Sequence, residues 1–317
     1  MDFTWRDGER VIRFGRGSVG DARELLDEPY ALLTTPRAES AAPDVVAGAA
    51  SVHHVAGGLV DELSTGLLDE VPMQPILVAL GGGRVIDTAK AIAGARAGEP
   101  RVAAIPTTLS AAEMTRIHRT PKGVEGALRV RPAIVVNDPA LCASQPEQEL
   151  AASAANSLGH AVEAPLTTIA SPVPSLAAAE AARVTRRAYE GGEPDRDALA
   201  LAALLSGYAI DANWYGLHHV MSQTLVRIGG AGHGPANAAM LPHTSRALAE
   251  RRDVEPWAPE LAADLAARAG ASRIRDIGVE RDTLERCAEA ASQRPELDLI
   301  PPRPSRDALL ALYEAAW

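Results

Sequence analysis

The chain has 317 residues, 47% of them hydrophobic, 23% charged and only 3% aromatic. That length points to two domains, and the balance is that of a globular protein with an alanine-rich, aliphatic core. With 31 Lys and Arg against 41 Asp and Glu, the formal charge is −10, which argues against nucleic acid or an anionic membrane as partner.

In chain order, short apolar runs come first: VIRFG (11–15), ALLTT (31–35), PILVAL (75–80), RVAAIP (101–106) and PAIVVND (132–138). Runs this short and rich in Val, Ile and Leu read as buried strands of a mainly parallel sheet. GDARELLDE (20–28) and RVIDTAKAIAGARAG (84–98) read as helices between them. Strand alternating with helix marks residues 1–145 as an α/β dinucleotide-binding domain. From 146 to 317 the strands stop. Residues 147–170, 175–190, 197–226, 258–270 and 281–292 read as helices, so this half is an all-α domain, with polar breaks at 191–197 and 293–307. No internal repeat and no low-complexity tail is visible. Cys142 and Cys287 are too few for a disulfide framework and suit a reducing cytoplasm. The start, MDFTWRDGER, lacks the apolar core of a signal peptide. No apolar run approaches the ~20 residues that span a bilayer.

The stretch PILVALGGGRVIDTAKAIAG (75–94) carries the strongest signal in the first half. A buried strand runs into Gly81, Gly82 and Gly83 and then into a helix. Glycines admit a close ligand, and the helix's free N–H groups favour an anion such as a diphosphate. Asp87 and Lys90 follow on the first turns, within reach of that ligand. The spacing is not GxGxxG, so the ordinary dinucleotide fingerprint does not apply. Thr107, Thr108 and Ser110 offer hydroxyls after the strand at 101–106, at the end where open sheets bind ligands. After ALLTT no acid is available for a ribose hydroxyl, and Arg37 stands close by. That leans toward NADPH or toward no preference between the nucleotides.

In the helical half, Asn156 and His160 are four residues apart and share a helix face, as do His219 and Gln223. His233 follows the glycine-rich bend GGAGHG. Histidines on separate helices can converge on a divalent metal, or they can simply pack. His218 reads as a packing residue behind His219.

Together these motifs resemble the iron-containing alcohol dehydrogenases and, within them, the maleylacetate reductases. GGGRVIDTAKAIA looks like the family's diphosphate loop, and IPTTLSAAEMT like the reductase form of its second nucleotide loop. NDPALCASQPEQELAASAANSLGHAVEA resembles the opening of its helical domain, and GLHHVMSQTLVRIGGAGHGPANAAMLPH the stretch bearing its histidines. The resemblance implies a dehydroquinate synthase-like fold with the site in a cleft between the two domains. It implies NADH or NADPH along Gly81–Gly83, Asp87, Lys90, Thr107, Thr108 and Ser110. The family's metal set of one Asp and three His falls on Asn156, His160, His219 and His233. A neutral amide at the first position weakens any Fe or Zn site, which would then rest on His160, His219 and His233. Gln223 departs from a further family histidine beside the substrate. A glutamine donates and accepts hydrogen bonds but cannot relay a proton.

The implied activity is NAD(P)H-dependent reduction of maleylacetate or a similar unsaturated oxo-acid, with His160, His219, His233, Gln223 and Asn156 as catalytic candidates. Arg116, His118, Lys122 and Arg227 are candidate cations for the substrate carboxylates. The resemblance also implies a cytoplasmic homodimer. The alternatives are a divergent member with another, biosynthetic substrate, a metal-dependent alcohol dehydrogenase, and a non-catalytic nucleotide-binding relative.

Overall fold

A computed structural model describes residues 1–317. The chain divides into two compact units, Met1–Ser144 and Gln145–Trp317.

The first unit is built on seven strands: β1 (Phe3–Asp7), β2 (Arg10–Phe14), β3 (Tyr30–Thr34), β4 (Ser51–His54), β5 (Ile76–Gly81), β6 (Arg101–Pro106) and β7 (Ile134–Asn137). They pair in the order β1-β2-β7-β6-β5-β3-β4. Every pairing is parallel except that of β1 with β2. Helices α1 (Ala22–Leu25), α2 (Pro36–Glu39), α3 (Pro43–Ala47), α4 (Val60–Leu67) and α5 (Gly83–Ala95) connect them. Successive strand residues point to opposite faces. Leu32, Val78 and Ile105 therefore build one core, and Leu33, Ala79 and Ala104 build the other, against Ile86 and Ile92 of α5. A sheet covered on both faces needs apolar residues at consecutive positions, which is why the five short runs stand out in the sequence.

Two strands have no counterpart in that reading. β1 is polar at alternate positions and pairs with β2 as a hairpin through Gly8, at φ 60°. β4, SVHH, is an edge strand with alternate residues exposed. The helix expected over 20–28 shrinks to a 3₁₀ turn at Ser18–Asp21 followed by α1.

The second unit is helical throughout: α6 (Glu147–Glu163), α7 (Pro172–Ala188), α8 (Arg196–Asn213), α9 (Leu217–Arg227), α10 (His233–Ala249), α11 (Ala258–Arg268), α12 (Leu284–Ser292) and α13 (Arg306–Ala316). The single helix expected over 197–226 is two. The chain breaks at Trp214, whose φ is 61°, and restarts after Gly216. A Cβ on Gly216 would meet Ile300 Cδ1 at 2.7 Å, so only glycine lets the segment around 300 pack there. α10 carries Pro242 in its interior and was not anticipated, nor was α13. No helix is long and apolar enough to cross a membrane.

Candidate functional site

The first candidate is the turn from β5 into α5. Gly82 is the N-cap of α5, and no side chain caps the helix. Val85 N and Ile86 N both return to Gly82 O. The N–H groups of Gly83 and Arg84 precede the first helical bond, so they are the donors an anion would meet. None of Gly81, Gly82 and Gly83 has positive φ, so conformation does not demand glycine here. Close packing does. A Cβ on Gly81 would meet Val85 Cγ2 at 2.7 Å, one on Gly82 would meet Thr108 Oγ1 at 3.0 Å, and one on Gly83 would meet Ser110 Cβ at 2.9 Å. Thr108 and Ser110 lie against Gly82 and Gly83, so the two loops form one surface beside the expected diphosphate turn.

Thr107 N donates to Gly81 O at 3.0 Å, and Ser110 Oγ accepts from Ala112 N at 3.3 Å. Lys90, expected to touch the cofactor, is fully buried. Its ammonium donates to the carbonyls of Ala112, Thr115 and Ile117 at 2.9, 3.0 and 3.1 Å and pairs with Asp87 at 2.7 Å. Those partners exhaust a compact ammonium, so Lys90 pins the second loop and leaves nothing for a diphosphate. Burial raises the Asp87 pKa, opposed by Lys90. Arg37, at the surface, donates to Ser144 O at 2.7 Å.

The second candidate lies in the helical unit. Asn156, His160 and Glu163 fall on one face of α6, all buried. The His160 ring stacks on His219 of α9, with centroids 4.8 Å apart and planes at 22°. Glu163, fully buried, accepts from the backbone N–H of His218 at 2.5 Å, from that of His219 at 3.3 Å and from His219 Nδ1 at 2.9 Å. A carboxylate on Nδ1–H fixes the ring and leaves the lone pair at Nε2. His219 Nε2, His160 Nδ1 and Asn156 Oδ1 are buried and have no protein partner. Burial and the neighbouring histidines drive the pKa of His160 well below the ordinary imidazole value, so that ring is neutral at neutral pH. The same causes act on His218, which donates to or accepts from Thr244 Oγ1 at 2.9 Å. Its ring occupies the space a Cβ on Gly159 would need, 2.7 Å away. His233 starts α10 in an exposed position, its carbonyl accepting from Asn237 Nδ2 at 2.8 Å. The structure thus joins Asn156, His160 and His219, brings His233 near enough to act on His160 electrostatically, and adds Glu163, which spacing alone does not single out. Its place three residues after His160 on α6 is the signal the sequence carries for it.

Gln223 is half-buried one turn beyond His219. Its Oε1 accepts from Arg294 Nη2 at 3.1 Å, and Arg294 also reaches Tyr215 Oη at 3.2 Å and Glu296 at 2.7 and 2.9 Å. The Tyr215 ring lies 5.7 Å from His219. Arg294 is thus a cation of this site that the sequence does not single out. Arg116 and Arg227 are exposed, and Lys122 pairs with Glu62 at the surface. His118 uses both ring nitrogens, on Arg119 O at 2.8 Å and Val130 N at 3.1 Å. Burial pushes it down to about 4, so it is a neutral staple.

Comparison with known proteins follows this geometry. The Fe-containing alcohol dehydrogenase family, C-terminal, matches residues 150–267. Maleylacetate reductase 1 of Rhodococcus opacus is 31% identical over 263 residues, 76% of this chain and 72% of that protein. Maleylacetate reductase of Burkholderia cepacia is 32% identical over 263 residues, 76% of this chain and 73% of that protein. The crystal structure of maleylacetate reductase from Agrobacterium tumefaciens superposes with a TM-score of 0.82 at 27% identity, covering 99% of this chain and 97% of that one. These relatives make the protein an oxidoreductase. It belongs to the iron-containing alcohol dehydrogenase family, in its maleylacetate reductase-like branch.

The family's name implies iron, and the residues present do not fit a chelate. No three His, Cys, Asp or Glu side chains are grouped to hold a metal ion. Asn156 puts a neutral amide where a carboxylate would supply charge.

Proposed function

We propose that the protein is an NAD(P)H-dependent reductase of an unsaturated oxo-acid of the maleylacetate type. The observation that carries the reading is the uncapped amino end of α5, faced by Thr108 and Ser110, in a chain whose relatives are named maleylacetate reductases. The N–H groups of Gly83 and Arg84 bind the diphosphate, and the hydroxyls of Thr108 and Ser110 bind the sugar-phosphate oxygens beside it. When bound, NAD(P)H supplies a hydride. The helical unit handles the substrate, whose double bond is conjugated to a ketone. The carbon β to the ketone gains the hydride's electron pair, and charge moves to the ketone oxygen. A proton then adds at the α carbon and the ketone is restored, giving the saturated 3-oxo-dicarboxylate. His219, its Nδ1 braced by Glu163, takes a proton onto the Nε2 lone pair and passes it to the α carbon, and Asn156 orients the substrate by donating from its amide NH₂ group.

A second reading, a family member with another substrate, draws on Gln223 at a position where the resemblance expects histidine. The test for both is loss of nicotinamide absorbance with NADH and with NADPH. Turnover of maleylacetate supports the first reading. Turnover only of simple aldehydes or ketones supports the second, and flat traces throughout refute both.

A further inference from the structure

Gln223 sits on α9 four residues after His219, so both share one helix face. Its amide has only one orientation compatible with its neighbour. Arg294 carries five N–H donors and no acceptor, so the side facing it at 3.1 Å must be Oε1. The NH₂ end is turned away from the guanidinium, and one of its two N–H groups is given to Tyr215 Oη, which leaves the second as the donor. Arg294 is itself held in place by two hydrogen bonds to Glu296, through Nε at 2.9 Å and Nη2 at 2.7 Å, and by one to Tyr215 Oη at 3.2 Å. Arg303 secures the same segment, donating to Arg294 O at 3.0 Å. A cation hydrogen-bonded to an amide oxygen also polarises the amide and strengthens its N–H donors.

We infer that Gln223 is the N–H donor that receives the substrate's ketone oxygen as it becomes an enolate, and that Arg294 is the positioning residue that aims it. The inference rests on the reductase reading above. It answers the question the departure from histidine raises: the position keeps a donor but gives up titration. The electron pair arriving at the β carbon displaces the conjugated π electrons toward oxygen. Gln223 meets that charge with a hydrogen bond alone, so no proton leaves the amide and no covalent bond to it forms. The enolate then collapses as its α carbon takes up a proton. An interaction that strengthens only as charge develops raises kcat more than it lowers KM.

Four variants test this: Gln223→Met, Arg294→Met, the double variant, and Arg294→Lys. Each is assayed with saturating nucleotide and the best unsaturated oxo-acid, and nucleotide affinity is measured by calorimetry. Gln223→Met is expected to lower kcat about a hundredfold, the cost of one oxyanion donor, with KM and nucleotide Kd within about twofold of wild type. Arg294→Met lowers kcat about tenfold, and Arg294→Lys recovers most of that loss, because an ammonium still selects Oε1. The double variant matches Gln223→Met alone, since Arg294 acts through Gln223. Unchanged kcat in Gln223→Met overturns the inference even if Arg294→Met fails to fold. Additive losses in the double variant, or a fall in nucleotide affinity matching the fall in kcat, overturn it as well. A wild-type enzyme inert toward every oxo-acid removes the reductase reading and this inference with it. An active wild type with unaffected variants removes only the inference.

Discussion

Glu113 lies in the loop that follows β6, with 1% of its surface exposed. Asn137 Nδ2 donates to its Oε1 at 3.4 Å, while Glu113 Oε2 and Asn137 Oδ1 are both buried without a partner. One proton on Oε2 supplies the donor these two acceptors lack. Burial, opposed in part by Lys90 and Arg10 and reinforced by Asp87, raises this carboxyl from 4.5 to about 7. The folded state therefore binds the proton more tightly than the unfolded chain does. Stability from this group is complete below pH 4.5, falls as pH rises toward 7 and is flat above it. At 1.36 kcal/mol per pKa unit, the full loss is about 3 kcal/mol. Glu113→Gln cannot ionise, and its amide still pairs with Asn137. Denaturant unfolding of both proteins from pH 4 to pH 8 isolates the effect, because every other titration cancels in the difference. The variant is expected to gain about 3 kcal/mol on wild type across that range. Curves that stay parallel would mean that Glu113 titrates alike in the folded and unfolded chain, and the acid–amide pairing would be wrong.

Two further predictions concern the same loop. Gly83→Ala drives a methyl to within 2.9 Å of Ser110 Cβ, so it should cost about 1–3 kcal/mol and weaken calorimetric nucleotide binding; unchanged affinity would detach this turn from the nucleotide. Lys90→Met strips three buried carbonyls and Asp87 of their cation. It should lower unfolding stability by at least about 3 kcal/mol, whereas a lysine serving only the cofactor would leave the apo protein's stability intact.

The sequence shows most where one residue's environment is set by its immediate neighbours. Leu77, Val78 and Ala79 are buried on alternating faces of a covered sheet, and consecutive apolar residues announce that directly. β4 is an edge strand with a partner on one side only, so SVHH needs no such run. The glycine at 216, where the chain restarts after the break at Trp214, is required by Ile300, 84 positions beyond Gly216, which fills the space beside it. The same distinction runs through the site. Asn156 and His160 announce themselves by spacing on one helix. Arg294 could not, because it is 71 residues from Gln223 and lies in a stretch that reads as a polar connection. Lys90 was legible as a loop-side cation, but whether it faces ligand or carbonyls depends on how residues 112–117 fold back over it.

Glu163 tests whether the histidine cluster is a built arrangement or an accident of packing. Its carboxylate is fully buried and accepts three N–H groups, two of them from the first turn of α9. An anion there satisfies donors that the helix leaves open and sits at the positive end of its dipole. Glu163→Gln keeps the shape but replaces one acceptor oxygen with an NH₂ group, which then faces N–H donors. Bonds to charged groups contribute about 1.5–3 kcal/mol each, so losing one and creating a donor–donor contact should cost at least about 3 kcal/mol. The same change frees His219 to rotate off His160, so kcat should fall further than substrate KM rises. Asp at this position restores charge but not reach, and should recover little of either. If Glu163→Gln melts with wild type and turns over normally, then His219 is held by the stacking of His160 alone, and the carboxylate has no part in the chemistry assigned to that ring.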